Sequence, residues 1–238
     1  MNHEIPSALR ARRGFVIAAA ALSGILVFVS MIVDPVPSAD GRELIAGYAG
    51  NLTRSGLHTN LIHYGFALVA PVVYAMVGLV RARGGWLANV AGVFAVLGLS
   101  TLPGLVLLDF PAVATALSTD LDAAVAMEDQ LGQMPYFILI ALPAFVSAVI
   151  ALPVAVAALW RAGLVPGYMV AIAVLAALAP NVAPTWWLGF GINAVWMVAV
   201  AVILARIPLA HWYGEVPDGR SASAFVTGGG EERERVRL

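Results

Sequence analysis

The sequence has no cysteine and no lysine. Without cysteine there are no disulfides, no thiolate metal sites, no cysteine nucleophile and no thiol redox chemistry. Without lysine there is no amine for a Schiff base. All thirteen basic residues are arginine, a bias that, with the abundance of Ala, Val and Gly, points to a GC-rich bacterial genome. Charge of either sign is scarce. Charged residues make up 11% of the chain, against roughly a quarter in a soluble domain. That is too little to cover a surface in water, and a formal net charge of −1 offers no basic face for nucleic acid.

Chemical signatures are missing too. There is no HExxH and no His/Asp/Glu set at metal-ligand spacing. No GxSxG elbow supports a serine nucleophile, and no glycine-rich loop has the form that cradles phosphate. Of the four histidines, only His58 and His63 fall on the outer side of the membrane, and their spacing of five takes them off a common helical face, so a bis-histidine haem is not expected. Neither a cofactor nor a metal is expected.

Long apolar runs dominate instead, and 61% of the residues are hydrophobic. A bilayer-spanning helix needs about 20 mainly apolar residues. Six runs qualify: 14–33, 60–80, 86–108, 136–160, 166–182 and 186–205. The first is longer than the roughly 7–15 residues of a signal-peptide core, and Asp34-Pro35-Val36-Pro37 follows it with no cleavage site, so it reads as a span. The last two runs are divided only at Pro180-Asn181-Val182-Ala183-Pro184, read as a tight hairpin. A re-entrant segment there would leave five spans. The expected fold class is all-α: a six-helix transmembrane bundle over 14–206, with a cytoplasmic N-terminus (1–13) and a polar, largely disordered cytoplasmic tail (207–238).

Arginine placement orients the bundle. With the N-terminus inside, eleven arginines are cytoplasmic and only Arg42 and Arg54 are not, as the positive-inside bias requires. This suits the inner (plasma) membrane of a bacterium. Eight of the fourteen acids fall in the two long external loops. Asp40-Gly-Arg-Glu43 predicts a short helix over 41–48 in the first. In the second, Thr119-x-x-Asp122 has capping-box spacing, and 120–133 is amphipathic. Leu121, Ala124, Val125, Met127 and Leu131 form its apolar face, and Glu128 projects from within that stripe.

Polar groups inside a membrane are costly and mark function or helix contacts. Here they gather towards the outer side: His63 on the second span, Asp109 at the end of the third, Glu128 on the loop helix and Asn193 on the sixth span. Pro71, Pro103, Pro143 and Pro153 interrupt spans two to four and could splay them. The reading these residues favour is an outward-facing intramembrane cavity. His63, Asp109, Glu128 and Asn193 would stand near its wall, with Trp186, Trp187 and Tyr136 lining it, and it would bind or transport a small or lipid-like molecule. Two other readings stand beside it. The protein is an accessory subunit of a membrane complex, or it is a membrane-embedded enzyme with Glu128 or Asp109 as general acid and His63 as base. The expected partners are the lipid bilayer, a small-molecule or lipid ligand, and a membrane subunit.

Overall fold

The computed structural model describes residues 7–37, 39–81 and 83–213. The tail reading from 214 onward and the first six residues lie outside the described residues. Described secondary structure is helical throughout. The helices are α1 (Ser7–Val33), α2 (Gly41–Gly50), α3 (Leu52–Ala67), α4 (Val69–Leu79), α5 (Gly85–Phe94), α6 (Leu102–Leu105), α7 (Asp109–Ser118), α8 (Leu121–Gln133), α9 (Pro135–Arg161), α10 (Tyr168–Val182), α11 (Trp186–Arg206) and α12 (Leu209–Tyr213). The chain divides into two compact units, 1–206 and 207–238; α12 belongs to the second.

Five helical stretches are long and apolar enough to cross a membrane: Ser7–Val33, Leu52–Leu79, Gly85–Ser118, Pro135–Arg161 and Trp186–Arg206. This is the architecture of a helical, multi-pass membrane protein. The surface agrees, with Leu139 71%, Leu175 68% and Val195 72% exposed, side chains that lipid accommodates and water does not. The sixth expected span, 166–182, is shorter than a full crossing. Its helix starts only at Tyr168 and has 15 residues, about 22 Å at 1.5 Å per residue.

Prolines set the irregularities. Pro71 has no N–H for the carbonyl of Ala67, and the second span breaks there, between α3 and α4. Pro103 withdraws the bond to Leu99. The third span answers with a π turn at Ala95–Leu99, and a 3-10 turn at Val106–Leu108 precedes Pro111. At the last hairpin, α10 continues through Pro180 to Val182. The chain turns at Ala183, which precedes Pro184 and is held extended (φ −67°, ψ 146°).

Packing closes a ring. α1 lies against α11 and α3; α4 and α5 meet α9; α9 meets α10, and α10 returns to α11. Small residues permit the close approach. Six of the ten buried residues of α9 are small: Ala141, Ala144, Ser147, Ala151, Ala155 and Ala158. Gly98 sits so tightly on this helix that an added Cβ would lie 1.8 Å from Ser147 Oγ. The centre of the ring is nearly filled, leaving a void of about 60 Å³.

One end of the bundle carries a cap. α2, α7 and α8 pack together around Ile45, Ala112 and Ala124, with Leu121, Val125 and Met127 against them. Two expectations shift here. The stretch after 108, read as loop, continues the third span as helix to Ser118. The N-cap of α8 is Asp120, whose carboxylate accepts from Ala123 N at 2.7 Å, not Thr119. Thr119 is already used to end α7, its N–H donating to Thr115 O at 2.9 Å. The second span's helix also starts early, at Leu52, because Asn51 caps it by accepting from Arg54 N at 3.3 Å.

Candidate functional site

A cavity of about 1010 Å³ lies under the cap rather than along the bundle axis. α2 forms one wall, α8 another, and the junction of the third span with α7 supplies the floor beside the start of α9. α2 arises where the Asp40–Glu43 spacing predicted it, with Asp40 in the N-cap position and Gly41 at φ 47°, a left-handed conformation that suits glycine. Its other face rests on the 34–37 turn so closely that a Cβ on Gly47 would meet Val36 Cγ1 at 2.3 Å. That turn is itself held by Asp34, whose carboxylate accepts from Val36 N at 3.0 Å.

The cavity wall is acidic. Asp40, Glu43, Asp109, Glu128 and Asp129 contribute to it, against a single cation, Arg42. Arg42 is already engaged in an ion pair with Asp122 that ties α2 to α8. Asp109 is partly buried. Apolar contributions come from Leu105, Val113 and Phe137 among others. The cavity therefore joins hydrophobic walls to a few carboxylates, the composition of a small-molecule site.

Behind the cavity wall lies a polar cluster that links the cap to the bundle. Tyr48 is buried, and its ring meets that of His58 at 5.9 Å between centroids, tilted by 59°. Burial, then the negative charges of Asp34 and Asp109, push the Tyr48 hydroxyl well above the usual tyrosine range. His58 donates from Nδ1 to Ser30 O at 2.8 Å, with Asp34 Oδ2 3.9 Å from the same nitrogen. Arg54 donates to the carbonyls of Val33 and Asp34, at 3.2 and 3.1 Å. Two basic side chains of α3 thus satisfy the carbonyls at the C-terminal end of α1, where the helix dipole favours them.

Of the seven residues singled out from sequence, the structure brings two together: Asp109 and Glu128 both line this cavity. His63 does not line it. Its Nδ1 donates to Pro103 O at 2.8 Å, a link between the second and third spans. Asn193 borders the small central void instead and donates from Nδ2 to Ala176 O at 3.3 Å. Trp187 lines a separate groove of about 770 Å³ along α10 and α11, walled by apolar side chains. Trp186 and Tyr136 line none of these spaces, and Tyr136 is 79% exposed. Sequence reasoning passed over Tyr48, Arg42 and the His58–Asp34 pair. The available signal was polar residues spaced along short helical patterns on both sides of an Asn cap, at 40–48 and 51–58.

Among the described residues, no group of three or more His, Cys, Asp or Glu is arranged to hold a metal ion. Compared with protein-family models, curated proteins and solved structures, the chain matches none.

Proposed function

We propose that this protein binds, or moves, a small neutral-to-cationic or lipid-like molecule in the cavity beneath the three-helix cap. One observation carries the reading: a cavity of about 1010 Å³ whose wall combines Asp109 and Glu128 with apolar side chains. With Arg42 engaged by Asp122, the wall has no free cation to offer an anion, so an amine or a hydroxylated amphiphile fits better.

The wider frame of this reading is a six-span bundle in a bacterial inner membrane, with both termini cytoplasmic and the cap outside. Arginine asymmetry supports it. So does the position of α10: paired with α11 in a hairpin, it completes the ring. A 15-residue helix can cross where the bilayer thins locally or its flanks snorkel. The two chain termini then share the cytoplasmic side.

The accessory-subunit reading keeps one observation of its own, the apolar groove along α10 and α11, which a partner helix could fill. The enzyme reading has less to stand on, since His63 is committed to Pro103 O and is absent from the cavity wall.

Native mass spectrometry of the protein extracted with its own lipid tests the proposal. A small molecule should co-purify with wild type, be lost from Asp109→Asn and Glu128→Gln, and be retained by His63→Ala. Retention in both carboxamide variants, or loss in His63→Ala alone, would move the site away from the cap.

A further inference from the structure

At the end of the bundle away from the cap, the chain turns sharply from α4 into α5 and from α9 into α10. Both turns are built on glycines with positive φ, Gly84 at 90° and Gly163 at 76°. At the second turn, Gly163 N donates to Trp160 O and Leu164 N to Leu159 O, both at 2.9 Å, the paired bonds of a Schellman ending. The last carbonyls of α9 are thereby satisfied. At the first turn, Gly84 lies against the end of α9, where a Cβ would stand 2.7 Å from Ala158 O and 2.9 Å from Arg161 Cβ. These two turns set Arg83 and Arg161 side by side, flanked by Trp86 and Trp160, around a pocket of about 500 Å³. Trp160 is held over the start of the next helix, with Nε1 3.0 Å from where a Gly167 Cβ would be.

Both arginines are exposed, and among the described residues neither has a hydrogen-bond or ion-pair partner for its guanidinium. No carboxylate lines the pocket. Trp86 and Trp160 are 67% and 45% exposed, and tryptophan prefers the headgroup level of a bilayer. Two unpaired guanidiniums match the phosphate of a phospholipid, and two indoles beside them give its glycerol and upper acyl region an apolar wall. A free phosphate would use only the first of these.

We infer that the pocket formed by Arg83, Arg161, Trp86 and Trp160 is a binding site for the headgroup of an anionic phospholipid. It is independent of the ligand cavity under the cap, and needs only that the bundle lie in a membrane.

The test is a lipid titration of the full-length protein in detergent, followed by native mass spectrometry, with phosphatidylglycerol, phosphatidylcholine and inorganic phosphate as probes. Phosphatidylglycerol should bind wild type in preference to phosphatidylcholine. A cation near an anionic lipid surface contributes about fivefold each, so Arg83→Ala with Arg161→Ala should weaken phosphatidylglycerol binding roughly 30-fold. Arg83→Lys with Arg161→Lys should recover part of that loss and report on folding, and Arg54→Ala, at the cap end, should leave it unchanged. Equal binding of phosphatidylglycerol by wild type and the double alanine variant would overturn the inference. So would equal binding of the two lipids, or displacement of phosphatidylglycerol by an equimolar concentration of inorganic phosphate.

Discussion

Asn193 and Pro180 meet through a single carbonyl. Pro180 has no N–H to donate to Ala176 O, the acceptor four residues before it, and Asn193 Nδ2 from α11 donates to that oxygen at 3.3 Å. A break in the hydrogen bonding of one helix is repaired by the side chain of its neighbour, and the α10–α11 hairpin gains a specific register. Side-chain bonds between membrane helices are worth about 0.6 kcal/mol on average and up to about 1.7. Asn193→Ala should cost within that range in wild type and distinctly less in a Pro180→Ala background, where residue 180 bonds Ala176 O itself. A double-mutant cycle read by denaturant unfolding checks this, and identical costs in both backgrounds would dismiss the link.

Gly98→Ala should be among the most damaging substitutions in the bundle. Its Cβ would fall 1.8 Å from Ser147 Oγ and 2.5 Å from Pro143 O, and the backbone carbonyl cannot swing aside. Overpacking of this kind typically costs about 1–3 kcal/mol. Gly92→Ala, whose Cβ would have only Val77 Cγ1 at 4.0 Å, should be close to neutral. Thermal melts of the two variants should differ by several degrees.

Alkaline pH should act through Tyr48. Burial and the charges of Asp34 and Asp109 keep its hydroxyl protonated in the folded protein at pH values where an unfolded tyrosine, with a pKa of about 10, has ionised. A raised folded pKa contributes stability that is complete below the unfolded value and declines as pH climbs past it. With no lysine or cysteine in the chain, tyrosines are the side chains that titrate in this window. The melting temperature of wild type should therefore fall above a pH of about 10, and Tyr48→Phe should fall less steeply. Parallel alkaline limbs would show that Tyr48 ionises as freely as an exposed tyrosine.

The absence of cysteine makes topology directly measurable. Single cysteines at Thr119, Asn181 and Ala162 can each be probed with a membrane-impermeant maleimide. In the six-span arrangement Thr119→Cys and Asn181→Cys react from the outside of intact cells, while Ala162→Cys reacts only after permeabilisation. Protection of Asn181→Cys in intact cells would leave α10 as a segment that does not cross.

The helical stretches were largely legible from hydropathy. The expected runs 86–108, 136–160 and 186–205 begin within a residue of the helices at Gly85, Pro135 and Trp186. The early start at Leu52 and the extension of the third span to Ser118 were not. Hydropathy reports which solvent a segment prefers, whereas these helices are decided by backbone bonds at Asn51 and by packing within the cap. Glu128 was recognisable because a carboxylate interrupts an apolar stripe. Its meeting with Asp109 depends on α7 turning back into α8 at Thr119, a geometry that no periodicity encodes.

What the sequence determined by itself is the solvent and the scale: apolar runs of bilayer length, prolines that each withdraw one hydrogen bond, and arginines concentrated between alternate pairs of runs. These are local properties, additive along the chain. What only the tertiary structure decided is which polar residues share a space. His63 and Asn193 are consumed by main-chain carbonyls of neighbouring helices, while Asp109 and Glu128 face one cavity and Arg83 and Arg161 another. The partner of a carbonyl freed by a proline, or a gap left between three short helices, exists only once distant segments have packed, and it is that packing which separates side chains bonded between helices from side chains left facing a cavity.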